Sequence, residues 1–322
     1  MSVSRRTVLG GVAALGVAGR AEAAPSGKVV VITGCSSGFG KLTALTLARA
    51  GHRVFATMRH SRSDNAAATK ELRAIAAKEG LALDVLDIDI RDDRSVADGI
   101  GQVRERAGRI DVLVNNAGIF HPAVMETVSV AELQEFFNTN VFGHLRMNRA
   151  VLPIMRGQRA GLVVQLTTAL GRLVLPFMGP YVGSKWAMEA MTEVSRYELS
   201  RFGVDVVIVE PGAYNTDFVI PNGIEHYRRH VRALAPEDHR RRQQYGDLVG
   251  RAESHLTEDP EAPDPQQVAD TIARLVSTPH GKRPLRTFGP GLPPQWAELN
   301  ETAGRIQREL LDAAGFGDLN PR

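Results

Sequence analysis

The sequence predicts an α/β fold, a doubly wound parallel sheet in a single domain. Three observations carry that expectation: six short aliphatic runs recur along the chain, helical patterns separate them, and a glycine-rich loop joins the first run to the first helix. Each run is four to seven residues long and dominated by Val, Ile and Leu, as strands buried on both faces require. Strand and helix alternating at this spacing place helices on both faces of a parallel sheet.

The runs are Lys28–Thr33, Arg53–Thr57, Ala82–Ile88, Asp111–Val114, Leu162–Thr167 and Val204–Val209. Apolar spacings of three and four predict helices over Leu42–Ala50, Ala66–Lys78, Val96–Arg106, Ala131–Met155 and Trp186–Arg201. After Val209 the pattern changes. Ala213–Pro265 is rich in charge and proline with no clear strand, and a segment of this length beyond a core strand is expected to fold as a helical flap. Gln266–Ser277 predicts a further helix, Arg283–Phe288 a last strand and Gln295–Ala314 a terminal helix. The expected organisation is a leader over 1–23 and one domain over 24–322, with a substrate-binding flap at 213–265 and a C-terminal extension at 280–322.

Composition excludes several classes. With 322 residues, 43% hydrophobic and 23% charged, the chain is long enough for a large core and is neither disordered nor fibrous. A net charge of +3 across 39 basic and 36 acidic residues gives no reason to expect a nucleic-acid partner. The single cysteine, Cys35, excludes an intrachain disulfide and reads as a small residue in a loop. The nine histidines show no ligand spacing, so no metal is expected. Arg228-Arg229-His230 and His239-Arg240-Arg241-Arg242 are interleaved with Glu225, Glu237 and Asp238, which reads as a solvated helical face rather than a polyanion site.

The N-terminus stands apart. Arg5-Arg6 precede an uncharged run, Val8 to Gly19, which is too short to span a bilayer. Ala21-Glu22-Ala23 then forms a small-x-small cleavage site. That order resembles a twin-arginine export signal and predicts a periplasmic protein with no stable membrane insertion after cleavage; a basic leader on a cytoplasmic protein is the alternative. Cleavage after Ala23 removes three arginines and one glutamate and leaves a 299-residue chain of net charge +1.

Thr33-Gly34-Cys35-Ser36-Ser37-Gly38-Phe39-Gly40 lies between the first strand and the first helix. Glycines there permit a tight turn and a close backbone approach, and the helix N-terminus offers N–H groups to a pyrophosphate. The second strand ends in Thr57-Met58-Arg59 with no acid to take a ribose 2′-hydroxyl. A guanidinium at Arg59 suits a 2′-phosphate, which favours NADP(H), with NAD(H) the other candidate.

Tyr181-Val182-Gly183-Ser184-Lys185 opens a helical pattern, so the phenol and the ammonium share one face. A nearby cation is expected to lower the pKa of the phenol and make it an acid/base group for alcohol–carbonyl interconversion. With Asp89-Ile90, Asn115-Asn116-Ala117-Gly118, Asn140, Pro211-Gly212 and Thr216 in order, the chain resembles the short-chain dehydrogenase/reductase family from Lys28 to about Pro279. The resemblance implies a Rossmann fold and a role for each landmark. Tyr181 would exchange a proton with the substrate oxygen, Lys185 would bind the nicotinamide ribose, and Asn140 would support a relay water. Asp89 and Ile90 would contact adenine, Asn116, Ala117 and Gly118 would flank the cofactor, and Pro211, Gly212 and Thr216 would position the carboxamide.

The family's serine falls on Thr168, thirteen residues before Tyr181; as a catalytic residue its hydroxyl can still hydrogen-bond a substrate carbonyl, while the added methyl crowds the pocket. Val54–Arg59, Asn140-Val141-Phe142-Gly143 and Gly171–Lys185 are similar to the 17-beta-hydroxysteroid and retinol dehydrogenase branch, which implies a bulky apolar alcohol or ketone. The family also implies homodimers or homotetramers through the two long helices. The competing reading is a non-catalytic dinucleotide-binding sensor or scaffold on the same fold.

Overall fold

A computed structural model of the chain describes residues 27–289, Leu292 and residues 295–319. The expected leader, Met1–Ala23, lies outside the described residues. Seven strands form one parallel sheet in the order β3-β2-β1-β4-β5-β6-β7. They are β1 Val29–Ile32, β2 Arg53–Met58, β3 Leu83–Asp87, β4 Val112–Asn115, β5 Gly161–Leu166, β6 Val204–Glu210 and β7 Arg286–Phe288. The order reverses between β1 and β4, the position at which a sheet of this kind opens a crevice beyond its strand ends.

Side-chain alternation divides the core into two layers. Val30, Ile32, Val54, Val112 and Val164 face α1 (Gly38–Arg49), α2 (Ala66–Glu79) and α10 (Gln266–Ser277). Val29, Val31, Phe55, Leu113 and Val163 face α3 (Asp93–Ala107), α5 (Gly143–Gln158) and the end of α6 (Gly179–Leu199). Both faces of each central strand are buried, which is why the aliphatic runs are continuous rather than alternating.

Two expectations change. The helix expected over Ala131–Met155 is α4 (Val130–Phe137) and α5 joined through one π turn, Asn138–Phe142, in which Gly143 N–H donates to Asn138 O. The helix expected from Trp186 starts seven residues earlier at Gly179, because Pro180 fits the first turn. The segment after β6 folds as α7 (Asn222–Ala233), α8 (Pro236–Gln244) and α9 (Asp247–Glu253). The terminal helix is α11, Gln295–Ala313. No helix among the described residues is long and apolar enough to cross a membrane.

A buried charge pair fixes the far edge of the sheet. Asp205 on β6 and Arg283 before β7 are both about 6% exposed and are directly hydrogen-bonded. Arg283 Nε also donates to Leu275 O at 2.7 Å, capping the end of α10. Removing the guanidinium would leave the buried carboxylate to Gly281 N–H and the half-exposed His280 ring, which is the costly half of such a pair. Arg283→Met is expected to lower unfolding free energy by about 3 kcal/mol in chemical denaturation.

Candidate active site

The site begins where β1 and β4 end side by side. Thr33 Oγ1 accepts from both Asn116 N–H and Ala117 N–H at 3.0 Å. Asn116 Nδ2 donates to Thr33 O at 2.8 Å and to Gly34 O at 3.0 Å. These bonds hold the glycine loop in place. Gly34 and Gly38 have φ of +71° and +53°, a backbone region that glycine enters without strain. At Gly40 a Cβ would lie 2.3 Å from Gly34 O, so only glycine allows α1 to pack this closely on the loop. No side chain caps α1 at Ser37, which leaves its leading N–H groups and positive dipole end to the cleft.

The cleft has a volume of about 1120 Å³. Gly34, Ser36, Ser37, Gly38 and Phe39 form one wall, with Arg59, Asp89 and Ile90 at one end. Asn116, Ala117, Gly118, Pro211, Gly212, Thr216, Thr168, Tyr181 and Lys185 line it too, and Ala169 N–H donates to Pro211 O at 2.8 Å. Of the expected site residues, Gly40 and Asn140 do not reach the cleft. They stand behind it and shape it.

At the Arg59 end, Asp87 accepts from His60 N–H (3.1 Å), Ser61 N–H (2.9 Å) and Ser61 Oγ (2.8 Å). The turn that presents Arg59 is thereby fixed, with Asn65 Nδ2 donating to Arg59 O at 2.7 Å. Burial, reinforced by Arg91, pulls the pKa of Arg59 below its ordinary value. Asp89 is committed elsewhere: Arg91 donates to it through Nε at 3.0 Å and Nη2 at 2.6 Å, holding its carboxyl below the usual range. This end of the cleft therefore carries two guanidiniums and two carboxylates, Asp89 paired with Arg91 and Asp64 acting on Arg59.

The π turn sets the other end. Asn140 is fully buried within it, and its side chain accepts from Ile119 N–H (2.8 Å) and donates to Ile119 O (3.1 Å) and Ser184 Oγ (3.0 Å). Ser184 Oγ in turn donates to Tyr181 O at 2.7 Å, so the loop after β4, the π turn and α6 are one hydrogen-bonded unit. His144 continues it, with Nε2 bonded to Ala117 O and Nδ1 to Gln165, both at 2.8 Å. Burial, then Lys185, drives the pKa of His144 down to about 3, so the ring is neutral and donates through Nε2.

Tyr181 is 8% exposed, with Phe120 edge-on to its ring at 5.2 Å and Phe218 at 6.0 Å. The expected acidification of the phenol is not what this structure has. Burial pushes it up to about 12, and a hydrogen bond with the Thr168 hydroxyl opposes this only in part. Lys185 Nζ lies 5.7 Å from the Tyr181 ring centroid and donates to Leu166 O at 3.1 Å. Burial lowers its own pKa to about 8, against the pull of Glu189. In this apolar setting desolvation is the larger influence, and it favours the protonated phenol. Thr168 caps the turn Ala169–Gly171, its Oγ1 accepting from Leu170 N–H at 3.3 Å. Cys35 is buried and its thiol raised to about 12 by desolvation, which makes it inert packing.

The basic stretch is not uniformly solvated. His230 is 5% exposed, and its Nδ1 lies 2.7 Å from Glu132 Oε1, which also lies 3.2 Å from His121 Nε2. Burial opposes ionisation of Glu132, but the two histidines hold its carboxyl down at about 2. This cluster fastens α7 to α4 and to the loop after β4. Arg242 pairs with Glu253 at 2.7 Å, tying α8 to α9. Sequence reasoning missed Asp87, Glu132, His144 and Ser184. Only Ser184, inside the Tyr-to-Lys stretch, carried a local signal; the others become legible when distant segments meet.

Fold and site together define a dinucleotide-dependent oxidoreductase scaffold. The short chain dehydrogenase family profile matches residues 28–224, and the chain belongs to that family. It is similar to estradiol 17-beta-dehydrogenase 1 of Rattus norvegicus, 32% identical over 303 residues, covering 90% of this chain and 82% of that protein. It is 37% identical to human retinol dehydrogenase 8 over 196 residues, 59% of this chain and 60% of that protein. A short-chain dehydrogenase structure from Streptomyces avermitilis superposes with a TM-score of 0.69 at 28% identity, covering 91% of this chain and 98% of that one. Gluconate 5-dehydrogenase from Burkholderia cenocepacia, solved with NADP and tartrate, gives 0.56 at 26% identity over 60% and 74% of the two chains. The similarity to estradiol and retinol dehydrogenases agrees with the branch that the motifs resemble.

Proposed function

We propose that this protein is an NADP(H)-dependent alcohol dehydrogenase or carbonyl reductase acting on a bulky apolar secondary alcohol or its carbonyl form. One observation carries the reading: a buried Tyr181 phenol, walled by Phe120 and Phe218, stands beside Lys185 and Thr168 in the cleft. The glycine cradle and the uncapped start of α1 fit a pyrophosphate, and the Arg59–Arg91 end fits a 2′-phosphate better than a bare ribose. When bound, the nicotinamide supplies or accepts the hydride.

The chain's own groups do the rest. Tyr181 delivers its proton to the carbonyl oxygen, and its high pKa keeps that proton loaded across the neutral range. The Thr168 hydroxyl contributes a hydrogen bond to the same oxygen. Lys185 would hold the nicotinamide ribose hydroxyls and place a cation near the oxygen that gains charge. The Asn140 side chain is committed to Ile119 and Ser184, so a relay water would bind its main chain instead. Pro211, Gly212 and Thr216 would orient the carboxamide, while Asp89, held by Arg91, Ile90 and the Asn116–Gly118 turn would shape the adenosine side. Phe120, Phe218 and Met178 favour a large apolar body and exclude water. Phe142 at the end of the π turn and Leu145 on α5, with Trp186 and Val194 on α6, leave apolar surface that supports self-association through α5 and α6.

Tyr181→Phe is expected to abolish carbonyl reduction while leaving NADPH affinity within about twofold of wild type by fluorescence titration, because only the proton donor is lost. Retained turnover would overturn the assignment, and tight NADPH binding with no turnover of any carbonyl by the wild type would favour the sensor. Arg59→Ala is expected to cut the kcat/KM ratio of NADPH to NADH at least tenfold, about 1.4 kcal/mol. The leader supports export by the twin-arginine route as folded holoenzyme. Fractionation of the native host should recover a periplasmic product starting after Ala23, and a full-length cytoplasmic product would exclude export.

A further inference from the structure

A second ionic cluster lies behind the cleft. Glu189 and Glu193 on α6, Glu210 at the end of β6, Arg286 on β7 and Arg172 after the Thr168 turn are electrostatically coupled. Arg286 donates to Glu189 through Nε at 3.0 Å and to Glu193 through Nη2 at 2.6 Å, and it lies 3.9 Å from Glu210. Asn300 of α11 donates to Glu210 at 3.1 Å. Three carboxylates thus face two guanidiniums. Burial, then Glu189, raises the carboxyl of Glu210 to about 7.

Glu189 is the member that reaches toward the chemistry. It is 2% exposed and lies one helical turn beyond Lys185. Its Oε1 accepts from the Thr167 hydroxyl at 2.5 Å, next to Thr168. A Cβ at Gly171 would lie only 2.8 Å from the same oxygen, so the turn is packed directly on the carboxylate. Leu166, which precedes Thr167, receives the Lys185 ammonium.

We propose that Glu189 is a positioning residue for the reaction: anchored by Arg286, its carboxylate fixes the turn that carries Thr168 and provides the counter-charge to the Lys185 ammonium. The inference rests on reading Tyr181, Thr168 and Lys185 as the catalytic set. One carboxylate then sets the geometry of one catalytic group and the charge of another, which a neutral isostere can only half reproduce. The charged groups that face it are Lys185 and Glu193 from its own helix, Arg286 and Glu210 from the sheet, and Arg172 from the turn.

The test uses the full-length protein and two readouts: steady-state reduction with NADPH across pH, and carbon NMR titration of the Lys185 Cε, assigned by its absence in Lys185→Arg. Glu189→Gln is expected to lower kcat about tenfold, with the KM for NADPH within about twofold. It should also move the Lys185 midpoint down by about 1 pH unit, the alkaline limb of kcat following it. Glu189→Asp should restore the midpoint. Thr167→Val keeps every charge and should lower kcat several-fold with the midpoint unmoved. An unchanged midpoint in Glu189→Gln, or full kcat in Thr167→Val, overturns the proposal; should Glu189→Gln not fold, Thr167→Val decides alone. If the wild type reduces no carbonyl substrate, the functional reading fails, and the Lys185 titration still judges the charge.

Discussion

The junction of β1 with β4 is the constraint on which the site depends. These strands are adjacent in the sheet but more than seventy residues apart in sequence, and the chain leaves them in opposite directions across the sheet. Thr33 and Asn116 close the junction with four hydrogen bonds. That closure fixes the glycine loop and therefore the direction of α1. A buried loop must satisfy its polar groups internally, and here Thr33 and Asn116 do so without filling the cleft. Gly40 completes the arrangement by removing the one Cβ that would hold helix and loop apart.

Burial, more than charge pairing, sets the chemistry beyond that junction. Tyr181, Lys185 and His144 all lie in a dry layer between α6, the π turn and the loop after β4. Desolvation keeps the phenol protonated, weakens the ammonium and holds the imidazole neutral. In such a buried layer each fixed charge and dipole acts with little screening. The π turn belongs to the same layer. Its widened backbone lets Asn140 turn inward onto Ile119 and Ser184 rather than outward into solvent.

The segment over the cleft is held by different means. Its helices place few residues in the main core, and α8 buries none. Ion pairs and the Glu132 clasp on His121 and His230 attach it instead. Polar attachment of a cover with little buried apolar surface suits an element of low local stability.

How much was legible in the sequence follows from the range of each interaction. Strands buried on both faces give continuous aliphatic runs, so β1 to β6 and their order along the chain could be read directly. The glycine loop, Tyr181 and Lys185 were legible because their geometry is local: a turn, and one helical repeat. The π turn was not, because an extra residue in a helix leaves the apolar spacing nearly unchanged on either side. The protonation of Tyr181 and the clasp at Glu132 were not legible either, since desolvation and contacts across nearly one hundred residues exist only once the layers have packed. The sequence by itself determined the fold class and placed the glycine loop, Tyr181 and Lys185 on their elements. The tertiary structure decided their protonation, and it decided that Glu189 and Arg286, far apart along the chain, meet behind them, because burial and long-range charge pairing are properties of the packed interior and not of any one segment.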